Sequence, residues 1–345
     1  MRLTADRRTL LWLLTAVVAA VALGLAAFLV LSDGDGAGPD DPAAPDEPSV
    51  LPLLGTRGQV PDRPALGVKI DTTEAGRPQT GLVEADVVFE EQVEGGLTRL
   101  LAVYHSQDPE TVGPVRSARS TDIVLLGELA RPQFAWSGAN PTFRAAVEAA
   151  DLIDVGFLSA PDAYERDDAG RAPYNLYAST GELRSVGEDS DPEAGPPPAL
   201  FDYRAEGAPL DDPAAEPTAT YQVPESAGLA TSIRWDWDEA SATWRRTQNG
   251  TPHVDVEGTA VSAANVVVRV TPYRDSGVRD STGAVVPEAV TVGEGDVLVL
   301  TDGQMLAGRW RKPSEDEPTT YTGPDGAPLL LTPGQTWVEV VPAGG

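Results

Sequence analysis

The sequence of 345 residues contains no cysteine and only two histidines, His105 and His253. The absence of cysteine excludes disulfide bonds, thiolate catalysis and zinc sites with cysteine ligands. Two histidines in separate halves of the chain are too few for an ordinary histidine metal site, so we expect no metal and no cofactor. The fold must then be stabilised by the burial of side chains alone.

Basic residues are also scarce. The chain carries 25 lysines and arginines against 53 acidic residues, which gives a formal net charge of −28. This charge excludes a general affinity for nucleic acid or anionic lipid headgroups, so we expect no nucleic-acid partner, and the binding of an anion requires a local basic site. The abundance of Ala, Asp, Gly and Pro is also typical of codon bias or of a salt-adapted surface.

One long hydrophobic run lies near the N-terminus. Residues 9–32 contain no charged side chain, and residues 10–31 form about 33 Å of helix, enough to cross a hydrocarbon core of about 30 Å. Three arginines precede the run and four aspartates follow it, so the positive-inside rule places the N-terminus in the cytoplasm and the rest outside. A cleaved signal peptide is the alternative, but its apolar region is normally about 7 to 15 residues long. We therefore predict a single-pass signal anchor in the cell membrane, with a cytoplasmic tip and a transmembrane helix over residues 1–32.

Composition divides the remainder of the chain. Residues 33–62 are acidic and rich in Pro and Gly, which predicts a disordered tether. A second Pro-rich stretch at residues 188–217 predicts a linker or a long exposed insertion. The segments that remain, residues 63–187 and 218–342, are long enough for two domains.

Hydrophobic periodicity predicts a mixed α/β fold for residues 63–187. In the strand predicted over residues 98–105, alternate side chains face opposite ways, and one face carries Leu100, Ala102 and Tyr104. Further strands are predicted over residues 66–70, 86–90, 133–137 and 152–155, and helices over residues 123–130, 142–150 and after Ser179.

Residues 218–342 have a different pattern. Short strand candidates follow one another, and turn signals such as Asn249-Gly and Asp302-Gly separate them. We predict an all-β antiparallel domain here, either a sandwich or a partly closed barrel. Its strands are predicted over residues 232–236, 242–246, 265–271, 297–301, 305–310, 328–331 and 336–341.

The most distinctive motif is GPVRSAR at residues 113–119, where two arginines lie three residues apart beside a Gly-Pro corner. Four motifs accompany it: RPQTGL at residues 77–82, DVVFEE at 86–91, EGGLTR at 94–99 and APYNLY at 172–177. Together they resemble the YerB-like family of extracytoplasmic bacterial proteins, a domain of unknown function with N- and C-terminal parts. The ANVVV segment at residues 264–268 and the hairpin over residues 302–310 resemble the C-terminal part.

The resemblance implies a location outside the cytoplasm and a two-part architecture, but no substrate. Members of the family are often lipoproteins held by an N-terminal cysteine, and this chain has no cysteine, so that route of anchoring is closed. The family pattern commonly has histidine where this chain has Tyr174. That departure removes the imidazole that a general base at this position would need.

Several arginines lie beside Gly or Pro, or at a strand edge, where a rigid loop faces solvent. A guanidinium binds carboxylate or phosphate through two parallel hydrogen bonds, so arginines that converge on a cleft make an anion site. The alternative is that they form internal ion pairs with the many carboxylates of this chain. Asn175 and Tyr177 either hydrogen-bond the same ligand or close a turn. The candidate ligand-binding residues are Arg77, Arg99, Arg116, Arg119, Asn175 and Tyr177.

Two acidic residues raise an alternative function. Glu90 and Glu94 share a face if their strand continues, and two carboxylates about 5 to 9.5 Å apart suffice for glycoside hydrolysis. Gly95-Gly breaks that strand, however, and a Ser-His-Asp triad would have to use His105. We therefore predict a non-enzymatic binding or scaffolding protein whose partner is a component or protein of the cell envelope, with an envelope glycan hydrolase as the alternative.

We predict that the protein fractionates with the membrane at full length, because residues 10–31 form its anchor. External protease applied to intact cells should cut the tether at residues 33–62 and release the folded part. Cell fractionation followed by N-terminal sequencing checks this expectation. Recovery of a mature N-terminus near Ser32 in the medium would contradict it.

Overall fold

The computed structural model describes residues 49–224, 229–280 and 282–343. The predicted cytoplasmic tip, the predicted transmembrane helix and most of the predicted tether therefore lie outside the described residues. Within the described ranges, we find no helical segment with the length and hydropathy of a membrane span. The described chain is largely β-structure with three short α-helices, and contacts group residues 48–345 into one unit.

Residues 66–190 contain all three α-helices of the described residues. Asn140 caps the second helix through its side chain, which accepts a hydrogen bond from the Phe143 amide at 3.0 Å, and Ser179 caps the third. The elements are β1 (Leu66–Asp71), β2 (Val87–Gln92), β3 (Thr98–Tyr104), β4 (Thr111–Val112), α1 (Ser120–Leu126), β5 (Gln133–Ala135), α2 (Pro141–Ala149), β6 (Ile153–Asp154), β7 (Tyr164–Arg166), β8 (Leu176–Ser179) and α3 (Thr180–Ser190).

The second half of the chain consists of strands. The predicted turns at Asn249-Gly and Asp302-Gly each connect the two strands of a hairpin. Asn249 and Asp302 both have a φ of 51°. The strands are β9 (Glu216–Pro217), β10 (Thr220–Gln222), β11 (Ile233–Asp238), β12 (Thr243–Gln248), β13 (Thr251–Pro252), β14 (Ser262–Ala263), β15 (Asn265–Thr271), β16 (Tyr273–Arg279), β17 (Val285–Ala289), β18 (Gly293–Thr301), β19 (Gln304–Lys312), β20 (Thr320–Thr322) and β21 (Thr336–Pro342).

One large sheet contains strands from both halves of the chain. Its order is β20-β19-β18-β15-β21-β2-β3-β1-β5-β6, with β9 paired beside β19. Three smaller sheets surround it: β10-β11-β12-β13 with β14, β4-β8-β7, and the hairpin β16-β17. The division of the chain into domains at residues 188–217 stays a prediction, and the large sheet continues across it.

The expectation of purely antiparallel pairing in the second half is wrong for its last strand. β21 lies parallel to β15 on one side and parallel to β2 on the other. Turn signals in the sequence report hairpins between neighbouring strands, which are antiparallel. They carry no information about a strand that returns after a long connection, so the sequence could not indicate this pairing.

The core has two hydrophobic clusters that divide the faces of the large sheet. Leu100, Ala102 and Tyr104 of β3 lie in one cluster, and Leu101 and Val103 lie in the other. This arrangement confirms the alternation expected from the sequence. Strands buried on both faces explain why β1 and β3 contain long runs of apolar residues.

Part of the predicted tether and part of the predicted linker pack against the folded unit. Leu53, which was expected in the disordered tether, is 1% exposed, and its carbonyl accepts a hydrogen bond of 2.6 Å from the Tyr203 hydroxyl. Leu200 and Phe201 of the Pro-rich stretch are also buried in the core. Composition over a window describes these segments as polar, but a few apolar side chains within them are enough to attach them to the core.

We expect Leu53→Ala to lower the free energy of unfolding by about 2 to 5 kcal/mol, because it leaves a cavity in the core. Val50→Ala is the matched control, since Val50 is 56% exposed and its loss should change stability by less than about 0.5 kcal/mol. Denaturant unfolding measures both variants. Equal stabilities for Leu53→Ala and the parent would show that residues 49–62 do not belong to the folded unit.

Candidate functional site

A cavity of about 260 Å³ lies at the end of β3. We call it the arginine pocket, and define it by Glu94, Arg99, Arg116 and Tyr174 in its lining. Thr73, Thr98 and Asp280 are further lining residues. The pocket brings together two of the arginines predicted from the sequence.

Sheet register carries Arg99 to this position. Arg99 of β3 pairs with Asp71 of β1 on one side and with Glu91 of β2 on the other. Residues that pair in register project to the same face of a sheet. The three charged side chains therefore form a row across the ends of three strands.

The GPVRSAR motif brings Arg116 to the arginine pocket, because the backbone of the motif is hydrogen-bonded along β1. The Arg116 amide donates to the Lys69 carbonyl at 2.8 Å, and the Asp71 amide donates to the Pro114 carbonyl at 3.0 Å. Gly113 has a φ of +152°, and a Cβ there would lie 2.7 Å from the Tyr177 ring. Residue 113 must therefore be glycine, so that the backbone can pass close to the Tyr177 ring. Arg116 lies three residues after this corner.

The two arginines of the motif are both ion-paired. Arg116 donates to the Asp71 carboxylate, and its guanidinium lies 4.9 Å from the centroid of the Tyr174 ring. Arg119 binds the Glu94 carboxylate through two nitrogens, with 3.2 Å between Nε and Oε2. These pairs are the internal ion pairs that the sequence left open as the alternative to ligand binding.

Arg99 differs from its two neighbours. Within the described residues, its guanidinium donates one hydrogen bond, of 3.2 Å to the Ser117 carbonyl, and forms no ion pair. Burial, together with the charges of Arg119 and Arg116, lowers the pKa of Arg99 to about 10, although the charges of Glu94 and Asp71 act in the opposite direction. The pocket therefore places Arg99 and Arg116 together with two acidic residues, Glu94 and Asp280, in one lining.

Arg119 in turn decides the charge of Glu94. Burial opposes ionisation of this carboxyl group, but the hydrogen bond and the charge of Arg119 outweigh burial, and the pKa of Glu94 falls. Glu94 is thus a carboxylate whose two oxygens are occupied by one arginine. Glu94 is ion-paired with Arg119 and acts on Arg99 only through its charge, without a salt bridge to it.

The remaining predicted residues lie outside this pocket. Arg77 lines a different cavity. The Asn175 side chain donates to the Asp167 carbonyl at 2.8 Å and accepts from Arg166 at 2.9 Å, so it closes a turn. Tyr177 is half-buried and packs against Gly113.

The carboxylates considered for hydrolysis are both engaged. Glu90 is 2% exposed and accepts two hydrogen bonds of 2.8 Å from Arg246, as well as one of 2.6 Å from the Thr98 hydroxyl. Glu94 is paired with Arg119. Neither residue offers a free carboxylate to a substrate, and His105 is buried with its pKa lowered to about 4, chiefly by burial.

A buried charge cluster below the pocket was missed from the sequence. The Lys69 amine donates to Glu91 and to Asp122 at 2.6 Å each, and all three side chains are fully buried. The second oxygen of Glu91 has no hydrogen-bond partner among the described residues. Burial, aided by Asp122 and opposed by Lys69, raises the pKa of Glu91 to about 7. A lysine within an apolar strand sequence, LGVKID, was the available signal.

We expect Glu91→Gln to change how stability depends on pH. Because the pKa of Glu91 is raised from 4.5 to about 7, the folded protein binds this proton more tightly than the unfolded chain. The stability contributed by that proton is therefore complete below about pH 4.5 and is lost as the pH rises to about 7.

The free energy of unfolding of the parent, relative to that of Glu91→Gln, should decrease by up to about 3 kcal/mol as the pH rises from about 4.5 to about 7. Denaturant unfolding at about pH 4.5, 5.5 and 7.5 measures the difference. Parallel pH profiles for the two proteins would show that Glu91 has no raised pKa.

Comparison with known proteins agrees with the resemblance noted from the motifs. The chain is 28% identical over 313 residues to the Bacillus subtilis (strain 168) protein named "Putative lipoprotein YerB". The aligned region covers 87% of this chain and 89% of that protein. The crystal structure of the YerB protein from Bacillus subtilis has the same fold, with a TM-score of 0.73 and 24% identity over 85% of this chain and 96% of that one.

Two domain families match in order along the chain. The N-terminal domain of the family "Protein of unknown function (DUF3048)" matches residues 53–193, and its C-terminal domain matches residues 225–338. The two matches together cover most of the chain. The chain therefore belongs to the DUF3048 family of proteins of unknown function, the family that includes the YerB-like pattern.

Proposed function

We propose that this is a membrane-anchored, extracytoplasmic binding protein of the cell envelope, and that its arginine pocket holds an anionic group of a ligand or partner. The long apolar run at residues 10–31 and the name of the Bacillus subtilis relative support the location. The pocket supports the binding role. The partner is an envelope component or an envelope protein.

The observation that carries this proposal is the state of Arg99. Arg99 is partly buried and has no ion pair among the described residues, and the charges of Glu94 and Asp71 only partly offset its burial, since its pKa stays lowered. Arg116 and Arg119 already have carboxylates, so they position the site and add positive field. An incoming carboxylate or phosphate would supply to Arg99 the paired hydrogen bonds that no described residue provides.

The size of the pocket limits what it can hold. Its volume of about 260 Å³ is smaller than the cavities of about 300 to 1,000 Å³ that enclose whole drug-sized ligands. It therefore accepts one group of a larger molecule rather than the entire molecule. This geometry does not support the hydrolase alternative, because Glu90 is ion-paired with Arg246 and Glu94 with Arg119.

We expect Arg99→Gln to weaken binding of inorganic phosphate and of soluble cell-wall fragments at least about tenfold, which corresponds to about 1.4 kcal/mol. The fold should keep its stability, because Arg99 has no ion pair to lose among the described residues. Calorimetric titration and thermal unfolding measure the two effects. Arg144→Gln is the matched control, since Arg144 is an exposed arginine on α2.

Arg116→Gln should differ from Arg99→Gln in its effect on stability. It leaves the buried Asp71 carboxylate without its cation, so it should cost stability as well as affinity. Unchanged titrations for Arg99→Gln, with the anion still bound by the parent, would contradict the proposal.

A further inference from the structure

A second cavity, of about 390 Å³, lies at the junction of the two family domains. Glu74, Arg77 and Pro78 from the N-terminal domain line one side of it. Asn249, Thr251 and Pro252 from the C-terminal domain line the other. Clefts between domains are preferred positions for ligand sites, and we call this one the junction pocket.

Arg77 is the cation of the junction pocket. Its side chain is partly buried, and it forms no hydrogen bond and no ion pair with any residue in the described part of the chain. Burial lowers the pKa of Arg77, and the nearby charge of Arg246 lowers it further. The charges of Glu74 and Glu90 act in the opposite direction, and neither residue forms a salt bridge with Arg77. The guanidinium therefore has donors available in a cavity.

The buried network behind Arg77 has no acceptor to spare. The Glu90 carboxylate receives hydrogen bonds from Arg246, from Thr98 and, at 3.2 Å, from the Trp337 indole. His253 bridges Arg246 and Gln79, at 2.9 and 2.7 Å. Because these groups satisfy one another, none of them accepts a hydrogen bond from the Arg77 guanidinium, and its donors remain free for a ligand.

The opposite wall supplies neutral donors and apolar surface. The Asn249 side-chain oxygen accepts from the Ser232 amide at 2.9 Å, which leaves its amide nitrogen without a partner among the described residues. The Thr251 hydroxyl is likewise free within that part of the chain. Pro78, Pro252 and Val254 form the apolar part of the lining.

These features define a class of ligand. Arg77 suits a planar carboxylate, and Asn249 and Thr251 can hydrogen-bond a neighbouring amide. The prolines and Val254 suit a short apolar side chain. Glu74 at the rim disfavours a doubly charged group such as phosphate, because like charges repel.

We propose that the junction pocket binds a single carboxylate joined to a short apolar group, with Arg77 as the residue that holds the carboxylate. Two sources share this chemistry: the C-terminus of a peptide and a free aliphatic acid. Capture of a terminal carboxylate is a recurring mode of peptide recognition. The site is separate from the arginine pocket, since the two cavities share no lining residue.

The test is a calorimetric titration of the full chain in detergent with N-acetyl-alanyl-alanine, its C-terminal amide, butyrate and inorganic phosphate. We expect the free dipeptide to bind and the amide to bind at least about tenfold more weakly. Butyrate as tight as the dipeptide identifies a free acid as the source, and a tighter dipeptide identifies a peptide terminus. In the Arg99→Gln background, which removes the cation of the arginine pocket, Arg77→Gln should abolish binding of the dipeptide, while Arg99→Gln alone and the control Arg144→Gln should preserve binding at the junction pocket.

Arg77→Lys guards against a variant that fails to fold, because it keeps the charge and loses only the planar fork. We expect it to unfold at the temperature of the parent and to bind the dipeptide more weakly. Equal binding of the dipeptide and its amide would overturn the proposal, as would undiminished binding by a folded Arg77→Gln. Phosphate that binds in an Arg77-dependent manner as tightly as the carboxylates would also overturn it.

Discussion

The buried ion pair between Glu90 and Arg246 is the interaction on which the junction of the two family domains depends. Glu90 belongs to β2 and Arg246 to β12, 156 residues later, and neither is more than 2% exposed. Arg246 also donates to Gln248 at 2.8 Å and stacks 5.1 Å from the centroid of the Trp337 ring. Loss of either charged partner would strand the other, which costs about 3 to 5 kcal/mol. Each domain thus completes the polar core of the other.

A second carboxyl group beside this pair must stay neutral for the network to balance. Glu339 pairs in register with Glu90 and is buried, and its pKa is raised well above the usual range by burial and then by the charge of Glu90. It accepts a hydrogen bond of 2.9 Å from the Trp235 indole. Arg246 therefore pairs with the carboxylate of Glu90, and a proton on Glu339 removes the electrostatic repulsion between the two acidic side chains.

Local signals in the sequence predicted much of the fold, and contacts between distant residues account for what they missed. Alternation identified both faces of β3, and capping residues identified Asn140 and Ser179. The sequence also singled out Arg99 and Arg116 as candidates for one site. It could not choose between ligand and ion pair, because Asp71 precedes Arg116 by 45 residues and meets it only where residues 114–116 run alongside β1. The junction pocket depends on a contact between domains, which no window of sequence contains.

The parallel position of β21 between β15 and β2 sets an order for assembly. Until residues 336–342 have been synthesised, both of these strands expose an edge, and the large sheet exists as two separate pieces. Such long-range pairing is slow to form, and unpaired edges rich in valine attract other chains. A chain truncated before residue 336 would therefore be prone to aggregation. β15 and β2 are therefore protected from pairing with other chains only once β21 lies between them.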